Sequence, residues 1–226
     1  MEERLKIIQG VSYPRSGHHL LCRCLLRYWN GHVDLSEKKY KDIKQPLNFE
    51  IFPNLLKNHD FNLKLKIEEN KKYLIQYRKP IESIVSWYLF NIDGGKEYMK
   101  IRNVELKRES WEKFARIEIN NWNRLMEKWV LIKRENILTI DYEQLVKNPF
   151  NTLSKIIFYF IPNHIIDFKL LNKVINDENI EYKNDITKFR YYNQDFYDEI
   201  MGMSIWNEVE EFDSKIVIRQ SLDRRK

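Results

Sequence analysis

Cysteine is almost missing: Cys22 and Cys24 are the only two in 226 residues. Two positions apart on a helix, their side chains diverge, so they do not pair with each other and a disulfide-stapled scaffold is excluded. Reduced thiols fit an intracellular protein, and the expected location is cytoplasmic. Gly and Pro number six each, which leaves no flexible linker to divide the chain. No apolar run approaches membrane-spanning length, so no membrane span is expected, and no charged-then-apolar leader precedes a small-residue cleavage site. A basic tail or block is also lacking; the charges are scattered, and no nucleic-acid partner is expected.

What is present describes a globular chain. Hydrophobic residues make up 43% and aromatic ones 14%, against 32% charged. The length suits one domain over 1–226 with a substantial core. A net charge of +6 favours anionic partners without choosing among nucleotide, nucleic acid and acidic substrate.

The chain is organised around Val11–Leu21, V-S-Y-P-R-S-G-H-H-L-L. Leu5, Ile7 and Ile8 before it suit a buried strand, and Leu20 to Trp29 after it suit a helix. A strand-to-helix loop points backbone NH groups and a helix dipole at one spot, which binds phosphate or sulfate. Pro14 stiffens the turn, Gly17 admits a close approach, and Arg15 adds a donor fork for oxyanions.

Further along, residues 54–57 read as a short strand ending in the polar tip Lys57, Asn58, His59 and Asp60. Lys72 to Arg78 is a buried strand, and Pro80 opens a helix with Ile81, Ile84, Val85, Tyr88 and Leu89 on one face, ending near Gly94. Trp111, Phe114, Ala115, Trp122, Leu125, Met126 and Trp129 recur at helical spacing, as a helix packed on a sheet requires. Asn136–Asp141 is another buried strand, Tyr142 to Val146 follows it, and a helix runs from Pro149 to Phe160. The tail from 163 to 226 is helical in patches. Strands alternating with helices predict an α/β fold: a single domain whose central, mostly parallel sheet is flanked by helices on both faces. Ligands bind such sheets at the carboxyl ends of strands, where the polar tips are expected to converge.

The loop is not G-x-x-x-x-G-K-[ST], and no apolar run ends in a carboxylate pair for magnesium, so no metal is expected. Transfer of a group less charged than phosphoryl needs only fixed charge and hydrogen bonds. S-Y-P-R-S-G resembles the 5′-phosphosulfate loop of sulfotransferases that use 3′-phosphoadenosine 5′-phosphosulfate (PAPS), with a P-loop-like fold. Y-R-K-P-I-E-S-I-V-S, Tyr77 to Ser86, is similar to a second family block, in which Arg78 and Ser86 take the 3′-phosphate positions. K-N-H at Lys57–His59 is similar to the block that holds the catalytic His and its Lys. I-D-Y-E-Q-L-V-K-N-P, Ile140 to Pro149, resembles the segment whose Tyr, here Tyr142, contacts adenine. Four blocks in order, over residues 7–160, imply a PAPS-dependent transferase acting on a hydroxyl or amine by in-line attack. His59 would be its base, with Lys57 and Arg15 catalytic, and with Arg15, Ser16, Gly17, His18, His19, Arg78, Ser86 and Tyr142 holding the nucleotide. Asp60 is a candidate to orient His59.

The departures from the family are specific. His18 and His19 stand where relatives carry small hydroxyl residues, and Leu20 stands where an aromatic ring stacks on adenine. The C-terminal R-K-G-x-x-G is lacking; K-F-R at Lys188–Arg190 is the nearest run and makes Arg190 a further candidate for the 3′-phosphate. Two other readings stay open, a kinase on a related phosphate loop and a non-catalytic polyanion-binding module. The acceptor, a small molecule or carbohydrate, is not readable. Its pocket falls to variable segments: 30–52, 91–108, or the tail rings Tyr191, Tyr192, Phe196 and Tyr197, which equally suit a core. Oligomeric state is unassigned.

Overall fold

The computed structural model describes residues 8–30, 55–93, 108–180 and 185–212. Most of the expected acceptor segments 30–52 and 91–108, and the last part of the tail, lie outside these residues.

Four strands, β1 (Ile8–Ser12), β2 (Leu55–Asn58), β3 (Lys72–Tyr77) and β4 (Ile137–Asp141), form one parallel sheet in the order β2-β1-β3-β4. Val11 lies opposite Asn58, Ser12 opposite Gln76 and Tyr77 opposite Asp141, so the carboxyl ends are level. The chain leaves β1 toward β2 on one side, and leaves β3 toward β4 on the other. That reversal opens a crevice between the ends of β1 and β3.

The sheet is covered twice because its strands are apolar on both faces. Leu74, Leu138 and Ile140 pack with Leu21, Leu25, Leu153, Ile156, Ile157 and Leu171. These come from α1 (His18–Asn30), α5 (Pro149–Phe160) and α6 (Phe168–Asp177). Val11, Tyr73, Ile75 and Tyr77 point the other way, onto Ile84, Trp111, Ala115, Trp122, Trp129 and Ile200. Those belong to α2 (Pro80–Asp93), α3 (Arg108–Trp129) and α7 (Gln194–Gly202). The aromatic stripe of α3 is core, as its spacing predicts. Trp122 and Trp129 are fully buried, and each bury on the order of 2–3 kcal/mol of apolar surface.

Local chemistry sets the ends. Pro80 and Pro149 sit in first turns, where a missing NH costs little. The Asp141 carboxylate accepts from the Glu143 NH and caps α4 (Tyr142–Lys147), so the chain turns from β4 straight into helix. The tail, unordered by sequence, folds by the same device. Asp167 caps α6 and Asn193 caps α7, and a 3-10 turn at Ile186–Lys188 and a helical stretch at 206–212 complete it. None of the described helices is long and apolar enough to cross a membrane.

Candidate active site

β1 ends at Ser12, the chain turns through Tyr13–Gly17, and α1 begins at His18. The Tyr13 hydroxyl donates to Glu118 at 2.6 Å and pins the turn to α3. Two residues of the turn have left-handed backbone, Arg15 at φ 65° and Gly17 at φ 84°. For Arg15 that conformation costs about 1–2 kcal/mol. It aims the guanidinium across the crevice, where Nε donates to Ser86 Oγ at 3.1 Å and the group lies 5.0 Å over the Phe90 ring. Gly17 has a second constraint: a Cβ there would sit 2.2 Å from the Tyr142 ring.

Around this turn lies a cluster of buried polar atoms with no hydrogen-bond partner among the described residues: Ser12 Oγ, Ser16 Oγ, His18 Nε2 and both amide atoms of Gln76. Buried polar groups are nearly always bonded, so four such side chains at one place mark a spot built to receive a polar ligand. His18 is neutral. Burial, followed by the charges of Lys57, His19 and His59, pushes its pKa down to about 3. His19 falls to about 4, from burial first and then Lys57. Its Nε2 accepts from the Lys57 ammonium at 3.0 Å, as an unprotonated nitrogen must.

Lys57 ends β2, and His59 follows it. His59 Nδ1 lies 2.7 Å from the Ser12 carbonyl oxygen. A carbonyl only accepts, so Nδ1 carries the hydrogen and Nε2 keeps its lone pair. Burial lowers the His59 pKa, the Ser12 contact partly opposes this, and Lys57 adds to the lowering, so the ring is neutral near pH 7. The expectation that Asp60 orients His59 is corrected. Asp60 is buried, and its Oδ2 accepts from Lys128 Nζ at 2.5 Å and Trp129 Nε1 at 2.9 Å, while Oδ1 accepts from the Leu65 NH at 2.8 Å. Asp60 anchors the loop to α3, and the Ser12 carbonyl orients the imidazole.

At the end of β3, Arg78 is buried, with Nε 3.3 Å from Glu82 Oε2 and its guanidinium 4.5 Å over the Tyr142 ring. Trp122 Nε1 donates to its carbonyl at 3.2 Å. Arg15 titrates below the ordinary arginine value, through burial and then the nearby Arg78 charge. Lys57 is also lowered, by burial and, among nearby charges, by Arg15, with Cys22 opposing. Glu82 offsets Arg78, while Arg15 and Lys57 have no carboxylate partner among the described residues. The crevice is therefore a region of uncompensated positive charge.

The sequence-derived residues Arg15, Ser16, Gly17, His18, His19, Lys57, His59, Arg78, Ser86 and Tyr142 thus share one end of the sheet. Arg190 is exposed, with its guanidinium 5.4 Å over the neighbouring Tyr191 ring. The tail rings Tyr191, Tyr192, Phe196 and Tyr197 line a separate cleft of about 240 Å³ beside Ile81 and Val85. Leu20 packs against the core. Sequence reading missed Gln76, the one polar side chain inside the β3 run, and Glu82. It also missed a row of rings in which Phe61 neighbours His59 at 5.1 Å and stacks at 6.5 Å on Trp87, which stacks at 5.9 Å on Phe90.

The neutral burial of His18 has a consequence for stability. Its folded pKa of about 3 lies below the ordinary 6.5, so below pH 6.5 the unfolded chain binds the extra proton. Stability then falls as pH drops from 6.5 toward 3, by at most about 1.4 kcal/mol per pH unit from this group. Urea midpoints between pH 7 and 4 should fall less steeply for His18→Gln than for the wild type; parallel curves would contradict the assignment.

Comparison with known proteins bears on the fold and the family of the chain. No curated protein matches the chain. Among solved structures, the mouse sulfotransferase SULT7A1 complexed with PAP superposes with a TM-score of 0.53 at 14% identity, covering 94% of this chain and 90% of that one. The sulfotransferase domain from the curacin biosynthetic pathway gives 0.47 at 16% identity, covering 75% and 77%. The first likeness establishes a shared fold. The family described as the sulfotransferase domain matches residues 9–177, from β1 through α6, and the chain belongs to that family.

Proposed function

We propose that this sulfotransferase-family chain moves a sulfuryl group from PAPS to a hydroxyl or amine of its acceptor, with His59 as general base. The observation that carries the proposal is the His59 ring, fixed by the Ser12 carbonyl with Nε2 open, beside a positively charged cradle. The orphaned atoms of Ser12, Ser16, His18 and Gln76 fit a nucleotide rich in acceptor oxygens, and the mouse neighbour of like fold is complexed with PAP.

In this reading Arg15, Ser16, Gly17, His18 and His19 receive the 5′-phosphosulfate end. Arg78 and Ser86 take the 3′-phosphate, and Tyr142, between Gly17 and Arg78, borders the adenosine. Arg190 has no such geometric support. When bound, PAPS supplies a sulfuryl group whose bond to the bridging phosphate oxygen breaks as the acceptor oxygen or nitrogen takes the sulfur, leaving 3′-phosphoadenosine 5′-phosphate (PAP). His59 Nε2 takes the acceptor proton. Arg15 and Lys57 hold positive charge where negative charge gathers on the departing phosphate, and His19 keeps Lys57 in place through their 3.0 Å hydrogen bond.

Thermal shift tests the nucleotide half of the proposal. PAP at a hundredfold excess over its Kd adds about 2.7 kcal/mol, a rise of roughly 5–10 °C for a chain of this size. AMP, which lacks only the 3′-phosphate, should give much less, and so should ATP with magnesium. A larger shift from ATP with magnesium than from PAP would favour the kinase reading, and equal small shifts from unrelated polyanions the binding module.

A further inference from the structure

Beside the base lies a cleft of about 300 Å³, open to solvent, between the turn after β1, the tip of β2 and α3. His59 lines it, so a molecule seated there faces the imidazole. Pro14, Phe61, Leu63 and Leu125 give its walls an apolar part. The Phe61 ring is 66% exposed, a large uncovered platform next to His59.

The charges in this cleft do not balance. Asp60 is matched by Lys128, whose ammonium it accepts at 2.5 Å. Glu118 does not line the cleft, and its two oxygens accept from lining residues, Tyr13 at 2.6 Å and Asn121 at 3.3 Å. Arg124 also lines the cleft, exposed, with no hydrogen bond or ion pair among the described residues. A planar donor fork lining this cleft, left without a carboxylate partner among the described residues, is suited to a carboxylate, phosphate or sulfate.

We propose that the acceptor is a hydroxyl compound with an apolar, ring-bearing body and an anionic group: the ring seats on Phe61, the anion on Arg124, and the hydroxyl meets His59. This rests on the sulfuryl-transfer reading above and deepens it by naming the acceptor class. Arg124 then sets specificity and takes no part in the bond changes.

The test pairs acceptors that differ in charge alone, 4-hydroxyphenylacetate and 4-hydroxyphenylacetamide, with PAPS as donor and mass-detected sulfate ester as readout. For the wild type, kcat/KM is expected to favour the acid by roughly 10- to 100-fold, the worth of a hydrogen bond to a charged group. In Arg124→Ala, which removes an exposed side chain, the ratio should fall to about one. Arg124→Lys should keep part of the preference, since it retains charge without the fork. A wild-type ratio near one, or a ratio unchanged in Arg124→Ala, overturns the inference while leaving sulfuryl transfer standing. No transfer to either compound by a protein that PAP still stabilises overturns the acceptor class alone; no transfer and no stabilisation by PAP overturns the proposed function as well.

Discussion

Replacing His59 with alanine is expected to lower the rate of sulfuryl transfer by about 10²- to 10⁴-fold, the usual worth of a positioned general base. The loss should fall on kcat, because the proposed role of His59 is to take the acceptor proton. PAP binding should change little, since no cradle residue is removed. The pH profile carries a sharper signature. The His59 pKa is lowered from 6.5, so the base is unprotonated at neutral pH and the acid limb of kcat/KM must lie below 6.5. The alkaline limb should lie below the ordinary lysine value, because Lys57 is lowered too. His59→Gln can still accept the hydrogen bond of a substrate hydroxyl, but it cannot take its proton, and it should be nearly as inactive as alanine. Full activity in either variant, or an acid limb at or above 6.5, would sink the role given to His59.

The parts of the site that were legible in sequence are those whose partners are local. Val11–Leu21 carries its own explanation, with Pro14, Arg15 and Gly17 within one turn, and Arg78 announces itself as the charge that ends a buried run. The layered sheet follows in the same way, since its strands and helices are separate periodic segments. What stayed hidden depends on distant partners. Asp60 sits beside His59 in sequence and looks like its orienter. A positive φ of 42° at Asp60 accompanies a carboxylate bound to α3 instead, on Lys128, 68 positions away. His18 and His19 depart from the small hydroxyl residues of the family pattern, and only the fold sets Lys57 on the Nε2 of His19 and buries His18 as a neutral ring. Gln76 reads as a blemish in an apolar strand, and its meaning comes from lying in register with Ser12 on the neighbouring strand. The tail helices were unreadable because they are short, ten residues or fewer in α6 and α7, too brief for the helical period to stand out against their Tyr, Asn and Asp content.

Gly17→Ala should be among the most damaging small substitutions in the chain, and the reasons for it can be separated. The backbone reason is φ of 84°, which an alanine adopts at a cost of about 1–2 kcal/mol. The packing reason is the Tyr142 ring, 2.2 Å from where the new methyl would lie, with Gln76 Nε2 at 3.2 Å behind it. Tyr142 has little room to yield, since the guanidinium of Arg78 lies 4.5 Å from the ring centre. The turn must therefore move, and with it the NH groups of the cradle and the aim of Arg15. A misplacement of about 1 Å at a reacting centre costs roughly 10²-fold, so transfer should fall by at least that factor, and the stabilisation by PAP should shrink with it. Tyr142→Ala separates the two reasons: in the double variant the clash is gone and the backbone strain remains. PAP binding should then recover part of the way from Gly17→Ala toward Tyr142→Ala, a coupling between two positions 125 apart in sequence that contact only across the crevice. Strictly additive losses would mean that Tyr142 does not close over Gly17, and that the strap from α4 onto the cradle is no part of the nucleotide site.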